Sequence, residues 1–285
     1  AGFRRADVVG TELRNLCTTA GPLTSVNELL DFVTADLPAG VAGIAYAVAG
    51  VIGEWDVVVQ SPNIHFLDGV PLASVTRERT GLPAVVLNDM EAAVAGMAVL
   101  LPAERYLLGI TWSSGIGLRV WHRGEILSVA EGGHMVLDPS PFAPLCGCGR
   151  RGHAEAIIGG HAIRRRVLAE TEARGIALPL GEPCRHLDEA FRRGEPWALD
   201  LYQVVATGMG LLLANLQSVL HLPLIVWKGT FALRALNLLE PSIREAMRSY
   251  LIDPTWADPA VLRFQFSPKP ETDALFGAAA SIGRD

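Results

Sequence analysis

Apolar positions change their period several times along the chain, and each change predicts an element. From Ser25 to Leu37, Val26, Leu29, Leu30 and Val33 recur at helical spacing behind a serine with Glu28 three residues on, the signature of a capped helix start. Val41 to Val51 is instead a nearly continuous apolar run with Gly50 near its end, which predicts a buried strand of a parallel or mixed sheet. Trp55 to Gln60 predicts a further strand that delivers Ser61-Pro62-Asn63. Pro71 to Thr80 predicts a helix, and Pro83 to Leu87 a short strand ending on Asn88-Asp89. The helix that follows, Met90 to Leu100, is rich in Ala and Gly and must pack closely. Tyr106 to Thr111 and Leu118 to Trp121 predict a hairpin around Ser113-Ser114-Gly115-Ile116-Gly117.

The second half predicts a helix over Ala156 to Ala173, then a variable connection from Gly175 to Pro196 that holds Pro179, Pro183 and Pro196. A long helix from Trp197 to Leu220 leads into a buried strand, Leu222 to Trp227, and then into Lys228-Gly229-Thr230. Leu199 to Leu220 is apolar enough to invite a membrane-spanning reading. Asp200, Gln203, Asn215, Gln217 and His221 interrupt it, and Gly208 and Gly210 suit close packing, so a buried amphipathic helix of a soluble protein is expected. Asp273 to Gly283 predicts a last helix with an Ala-rich face.

Composition narrows the class. At 285 residues and 50% hydrophobic the chain exceeds the usual size of one compact domain, and two lobes are expected. A net charge of -6, with no basic run beyond Arg164-Arg165-Arg166, argues against a nucleic-acid footprint. No secretory signal is visible, and Cys17 and Cys184, the cysteines left over by the segment described next, suit reduced thiols in a cytoplasmic protein.

The densest chemistry lies between Glu131 and Glu155, EGGHMVLDPSPFAPLCGCGRRGHAE. His134, Cys146, Cys148 and His153 are soft ligands of the kind Zn²⁺ takes in closed tetrahedral sites, and Gly147, Gly149 and Gly152 let the backbone fold around an ion. The plainer reading is a Gly-rich loop with two thiols and two surface histidines. Asp89, where a buried strand meets a helix, is either an aimed acid or a helix cap. Asn63 offers a donor and an acceptor at a strand's end, or caps its own turn. The small residues Ser113 to Gly117 could turn backbone N–H groups and two hydroxyls toward a phosphate, although most such turns bind nothing.

The Glu131 to Glu155 stretch resembles the metal-binding segment of the ROK family (repressors, open reading frames and sugar kinases), G-H-x(n)-C-x-C-G-x-x-G-C-x-E. Gly133-His134, Cys146, Cys148, Gly149, Gly152 and Glu155 match, and His153 replaces the third cysteine. Asn88-Asp89 matches the start of the family's N-D-A-N-A-A segment, in which the Asp takes the proton from the sugar hydroxyl. Ser113, Ser114, Gly115 and Gly117 lie on its phosphate turn G-T-G-I-G-G-G, from which Thr111 to Gly117 departs at several positions. Lys228 stands at the first glycine of the Gly-Gly pair that admits adenine, with Gly229 at the second, so either the nucleotide sits differently or Lys228 reaches a phosphate.

The resemblance implies an α/β, actin-like ATPase (ribonuclease H-like) fold of two lobes with a central cleft: a small lobe of residues 1–107 plus 274–285, and a large lobe of 108–273 carrying the zinc segment. It further implies that Asn88, Asp89, Glu131, His134 and Glu155 bind a sugar with Asn63 beside them, and that the zinc is structural. The implied activity is transfer of the γ-phosphate of ATP, with Mg²⁺, to a hydroxyl of glucose, a related hexose or a sugar-like cyclitol, Asp89 acting as general base. A homodimer or homotetramer in the cytoplasm is expected, without membrane or nucleic-acid partners. The rival is a sugar-binding effector domain of a ROK-type repressor without kinase activity.

The opening residues allow two registers. In one, Asp7-Val8-Val9-Gly10-Thr11 lies on the phosphate hairpin D-x-G-G-T, with Val9 where a glycine is needed. In the other, Phe3 to Asp7 and Glu12 to Thr18 are the next two strands, and the phosphate hairpin precedes Ala1. The second is expected.

Overall fold

The structure, a computed structural model, describes residues 3–127, 131–178 and 183–283. Contacts group the chain into two compact units: Ala1–Arg105, Trp121–Leu127 and Ser267–Asp285 form the first, Tyr106–Val120 and Ser128–Phe266 the second. The fold is α/β.

The first unit opens with an antiparallel hairpin, β1 (Arg4–Val9) and β2 (Glu12–Thr18), which turns at Gly10-Thr11. Helix α1 (Val26–Thr34) starts at the expected cap, Ser25 Oγ accepting from the Glu28 amide at 3.2 Å. Glu28 reaches one residue further back than a capping box requires, accepting from Thr24 N at 2.7 Å, and that bond holds its carboxyl below the usual range.

The apolar run Val41 to Val51 becomes β3 (Ile44–Val48) and, after a bend at Gly50, β4 (Val51–Ile52). A Cβ at Gly50 would stand 2.3 Å from Gln60 O, so only glycine lets the chain fold back here. β4 pairs with β5 (Val57–Gln60), and β5 with β6 (Val70–Pro71), both antiparallel. Helix α2 (Leu72–Thr80) then leads to β7 (Ala84–Asn88), which lies parallel to β3 with Asn88 opposite Val48, and α3 (Asp89–Leu100) follows directly.

β8 (Tyr106–Trp112) and β9 (Ile116–His122) belong to a five-stranded sheet, with β10 (Glu125–Leu127), β11 (Leu224–Lys228) and β12 (Arg263–Phe266), in the order β10-β9-β8-β11-β12; β8, β11, β12 and β9 as far as Val120 lie in the second unit. β11 runs parallel to both neighbours. Around it lie α4 (Ala154–Ile158), α5 (Gly160–Ala173), α6 (Pro183–Arg192), α7 (Pro196–Leu220) and α8 (Thr230–Tyr250). Trp112, Trp227 and Phe231 form an aromatic centre, with the Trp112 and Phe231 rings 4.6 Å apart. The last helix, α9 (Asp273–Ala279), returns to the first unit and packs on α3, where a Cβ at Gly277 would stand 1.8 Å from Ala92 O.

Helix α7 is long and apolar enough to cross a membrane, yet half of its most apolar window is buried in the protein. Its glycines serve packing as expected: a Cβ at Gly208 would meet Ile158 and one at Gly210 would meet Ala246. Gln217, one of the interrupting polar residues, is fully buried and exchanges hydrogen bonds with the Leu222 backbone across the turn.

Several elements differ from the sequence pattern. The helix expected over Ala156 to Ala173 is two, parted at Gly159, because the amides of Gly160 and His161 donate to Ser113 O and Ser114 O at 2.9 and 2.8 Å instead of continuing α4. The connection from Gly175 to Pro196 contains α6: Pro183 opens that helix and Pro196 opens α7, positions where proline starts a helix and does not break it. Pro179 lies outside the described residues. Helix α8, absent from the sequence expectations, tolerates Pro241 in its interior.

Candidate functional site

In the first unit the chemistry sits at the carboxyl ends of the parallel strands β3 and β7, where open α/β sheets present ligand-binding residues. Asn88 is the cap of α3: its Oδ1 accepts from Met90 N at 2.9 Å and from Glu91 N at 3.3 Å, while its Nδ2 donates to Gly50 O at 2.9 Å. The side chain is thereby fixed at both ends. Asp89 is the first residue of α3 and is exposed, its Oδ1 2.9 Å from the Met90 amide. A carboxylate there is favoured by the helix dipole. The capping role left open for Asp89 is thus filled mainly by its neighbour.

Asn63 is exposed on the loop after β5, and among the described residues its side chain makes no hydrogen bond, so it does not cap its own turn. The loop is pinned around it. Ser61 Oγ donates to Ala49 O and Ser61 N to Asp68 Oδ1, both at 2.7 Å.

In the second unit the segment from Glu131 to His134 lies along β9. A Cβ on Gly133 would stand 2.1 Å from Ile116 O, and one on Gly132 2.5 Å from the Leu118 side chain. Glu131 is exposed, with Oε1 3.7 Å from the guanidinium of Arg119, which is itself buried on β9. Glu155, in the first turn of α4, accepts from Ile116 N at 3.2 Å, and a Cβ on Gly115 would stand 2.2 Å from its Oε2. A residue expected to bind sugar and a turn expected to bind phosphate therefore touch.

His134, Cys146, Cys148 and His153 converge, their ligand atoms all within 4.8 Å of one another. The Nδ1 atoms of the two histidines are 3.0 Å apart, Cys146 Sγ is 3.6 Å from His134 Nδ1 and Cys148 Sγ is 3.3 Å from His153 Nδ1. Backbone bonds shape the knuckle: Gly149 N donates to Cys146 O at 2.9 Å, with Gly149 at φ +85, and Cys146 N donates to Arg150 O at 2.7 Å. Burial pushes the Cys146 thiol up, opposed in part by a hydrogen bond from the Cys148 backbone. Two soft sulfurs and two imidazole nitrogens crowded face to face fit a tetrahedral zinc, which takes up the thiolate charge that burial opposes.

Ser113, Ser114 and Gly115 form the turn between β8 and β9, and Gly117 lies within β9. Lys228 ends β11 opposite Thr111, and Gly229, at φ +100, caps α8 where a Cβ would stand 2.5 Å from Trp112 O. Sequence reasoning singles out neither Thr230, whose Oγ1 lies 3.3 Å from Ser113 Oγ, nor Arg119. The signal for the second was an arginine inside the apolar run Ile116 to Trp121.

Comparison with known proteins bears on all of this. A family model described as the ROK family matches residues 17–284. A glucokinase from Streptomyces coelicolor is 28% identical over 298 aligned positions, covering 96% of this chain and 92% of that protein. The crystal structure of a ROK hexokinase from Thermus thermophilus superposes with a TM-score of 0.81 at 26% identity, over 98% of this chain and 93% of that one. A ROK family glucokinase from Streptomyces griseus, solved in complex with glucose and AMPPNP, gives a TM-score of 0.73 at 23% identity over 100% of both chains.

Proposed function

The chain belongs to the ROK family, and from that premise we propose that it is an ATP-dependent sugar kinase that transfers the γ-phosphate to a hydroxyl of glucose, a related hexose or a sugar-like cyclitol. The observation that carries the reading is the division of labour at the end of β7: Asn88 caps the helix and Asp89 follows it at the helix start, an exposed carboxylate on a rigid mount.

Asp89 accepts the hydroxyl proton as the oxygen attacks phosphorus, a role worth roughly 10²- to 10⁴-fold in rate. Asn63, Asn88, Glu131, His134 and Glu155 bind the sugar, because each hydroxyl needs a donor and an acceptor and charged acceptors bind more strongly. Ser113, Ser114, Gly115, Gly117, Lys228 and Gly229 hold the nucleotide. Mg-ATP, when bound, supplies the phosphoryl group and the cation that offsets its charge. His134, Cys146, Cys148 and His153 would hold a structural Zn²⁺, which would fix His134 and, two residues beyond His153, Glu155. A cytoplasmic homodimer or homotetramer completes the proposal.

A coupled assay for ADP release over a panel of hexoses, N-acetylhexosamines and cyclitols tests it. At least one sugar should support turnover. Protein that binds a hexose yet transfers no phosphate to any member of the panel overturns the kinase reading in favour of a sugar-binding regulator.

A further inference from the structure

We propose that Arg119 is a positioning residue that aims the Glu131 carboxylate at the sugar; this rests on the kinase reading above. Arg119 lies on β9 and is only 6% exposed. A buried guanidinium is costly unless its charge and donors are engaged. Its Nη1 donates to Leu118 O at 2.9 Å, and its Nη2 stands 3.7 Å from Glu131 Oε1. That separation is an ion pair without a direct hydrogen bond, so it orients the carboxylate while leaving its oxygens able to accept from a ligand.

The pairing is asymmetric in a way that suits such a role. The Glu131 side chain is 69% exposed against 7% for Arg119. A surface pair between two mobile chains holds little geometry. Here one partner is fixed inside a sheet, so the other inherits a direction. The backbone is fixed from the same strand, since Gly133 passes against Ile116 O and Gly132 against Leu118. β9 also donates Ile116 N–H to Glu155. One strand thus registers both carboxylates assigned to the sugar, one through a main-chain amide and the other through Arg119.

The test is a double-mutant cycle on the full chain with Arg119→Met, Arg119→Lys, Glu131→Gln and the Arg119→Met/Glu131→Gln pair, each first checked for zinc content and cooperative melting. Steady-state kinetics with the best sugar, and sugar binding by calorimetry, are read for each. Arg119→Met should raise the sugar KM and Kd about tenfold with kcat within about threefold, Arg119→Lys should recover most of that loss, and Glu131→Gln should cost little more once Arg119 is gone. If the two single effects multiply in the double variant, or if Arg119→Lys is as impaired as Arg119→Met, the positioning role is overturned while the kinase reading stands. Wild-type protein that binds no sugar removes both. Should Arg119→Met fail to melt cooperatively, Arg119→Gln takes its place in the cycle, with Arg119→Lys still the conservative control.

Discussion

The carboxylate of Glu155 accepts the amide proton of Ile116 at 3.2 Å, across the tip of the turn that joins β8 to β9. Helix α4 is thereby tied to that turn through a group assigned to the sugar. Glu155→Gln keeps an acceptor for Ile116 but removes the charged acceptor offered to a hydroxyl. Sugar affinity should fall by about 1 to 3 kcal/mol, measured by calorimetry, with the fold intact. Unchanged affinity would reduce Glu155 to a structural strut.

Gly115 admits that contact because it has no side chain. A methyl group there would lie 2.2 Å from Glu155 Oε2 and 3.0 Å from its Cδ, so Gly115→Ala should push the carboxylate aside. The expected result is a sugar Kd raised as far as in Glu155→Gln, and no further loss when the two changes are combined. Independent losses would mean that the turn acts on the nucleotide alone.

Elemental analysis of purified protein should find one zinc per chain. Cys148→Ser, or prolonged chelation, should lower the melting temperature, since structural zinc contributes on the order of several kcal/mol to folding. Metal loss should set in as pH falls, because protons compete for both the thiolates and the imidazoles. Well under one zinc per chain in protein prepared without chelators would leave the cluster as four unbridged side chains.

Asn88 and Asp89 should separate stability from turnover. Asp89→Asn keeps size and hydrogen bonding, so sugar affinity should stay within about tenfold while kcat falls by roughly 10² or more, with little change in melting. Asn88→Ala removes the cap of α3 and the bond to Gly50 O and should cost about 1 kcal/mol of stability. The opposite pattern, with Asp89→Asn unstable and active, would make Asp89 the true cap.

In the first unit, Gly277→Ala sets a Cβ 1.8 Å from Ala92 O and 2.5 Å from Gly96 N. The backbones of α3 and α9 must part, and the cost should be about 2 kcal/mol or more, read as a drop of several degrees in melting temperature. A neutral result would show that α9 is held by other contacts.

Much of this was legible in the chain. Helical period and a serine cap placed α1, and Gly208 and Gly210 announced the close packing of α7. The convergence of His134, Cys146, Cys148 and His153 could be read because the four lie close in sequence and are types that zinc chemistry favours. What escaped was decided at long range. The break at Gly159 exists because Ser113 and Ser114 take the amides of Gly160 and His161, and no local pattern encodes that meeting. Pro183 and Pro196 suggested a broken connection because proline opens a helix as readily as it ends one, and the amphipathic run of α6 between them was outweighed. Residue types at Asn88-Asp89 leave open which of the two caps α3, and it is Asn88 that holds the amides of Met90 and Glu91.

Helix α9 belongs to the first unit but is translated after the whole of the second. On the ribosome, α3 therefore emerges before the helix that fills its groove, and Asp89 rides on a helix whose seat is incomplete until α9 has been made. The second unit, built almost entirely from Tyr106 to Phe266, can close first. A nascent chain stalled before Asp273 should carry an organised metal knuckle beside an unfinished first unit, so the order of translation delays the seating of the proposed base until the zinc segment has been made.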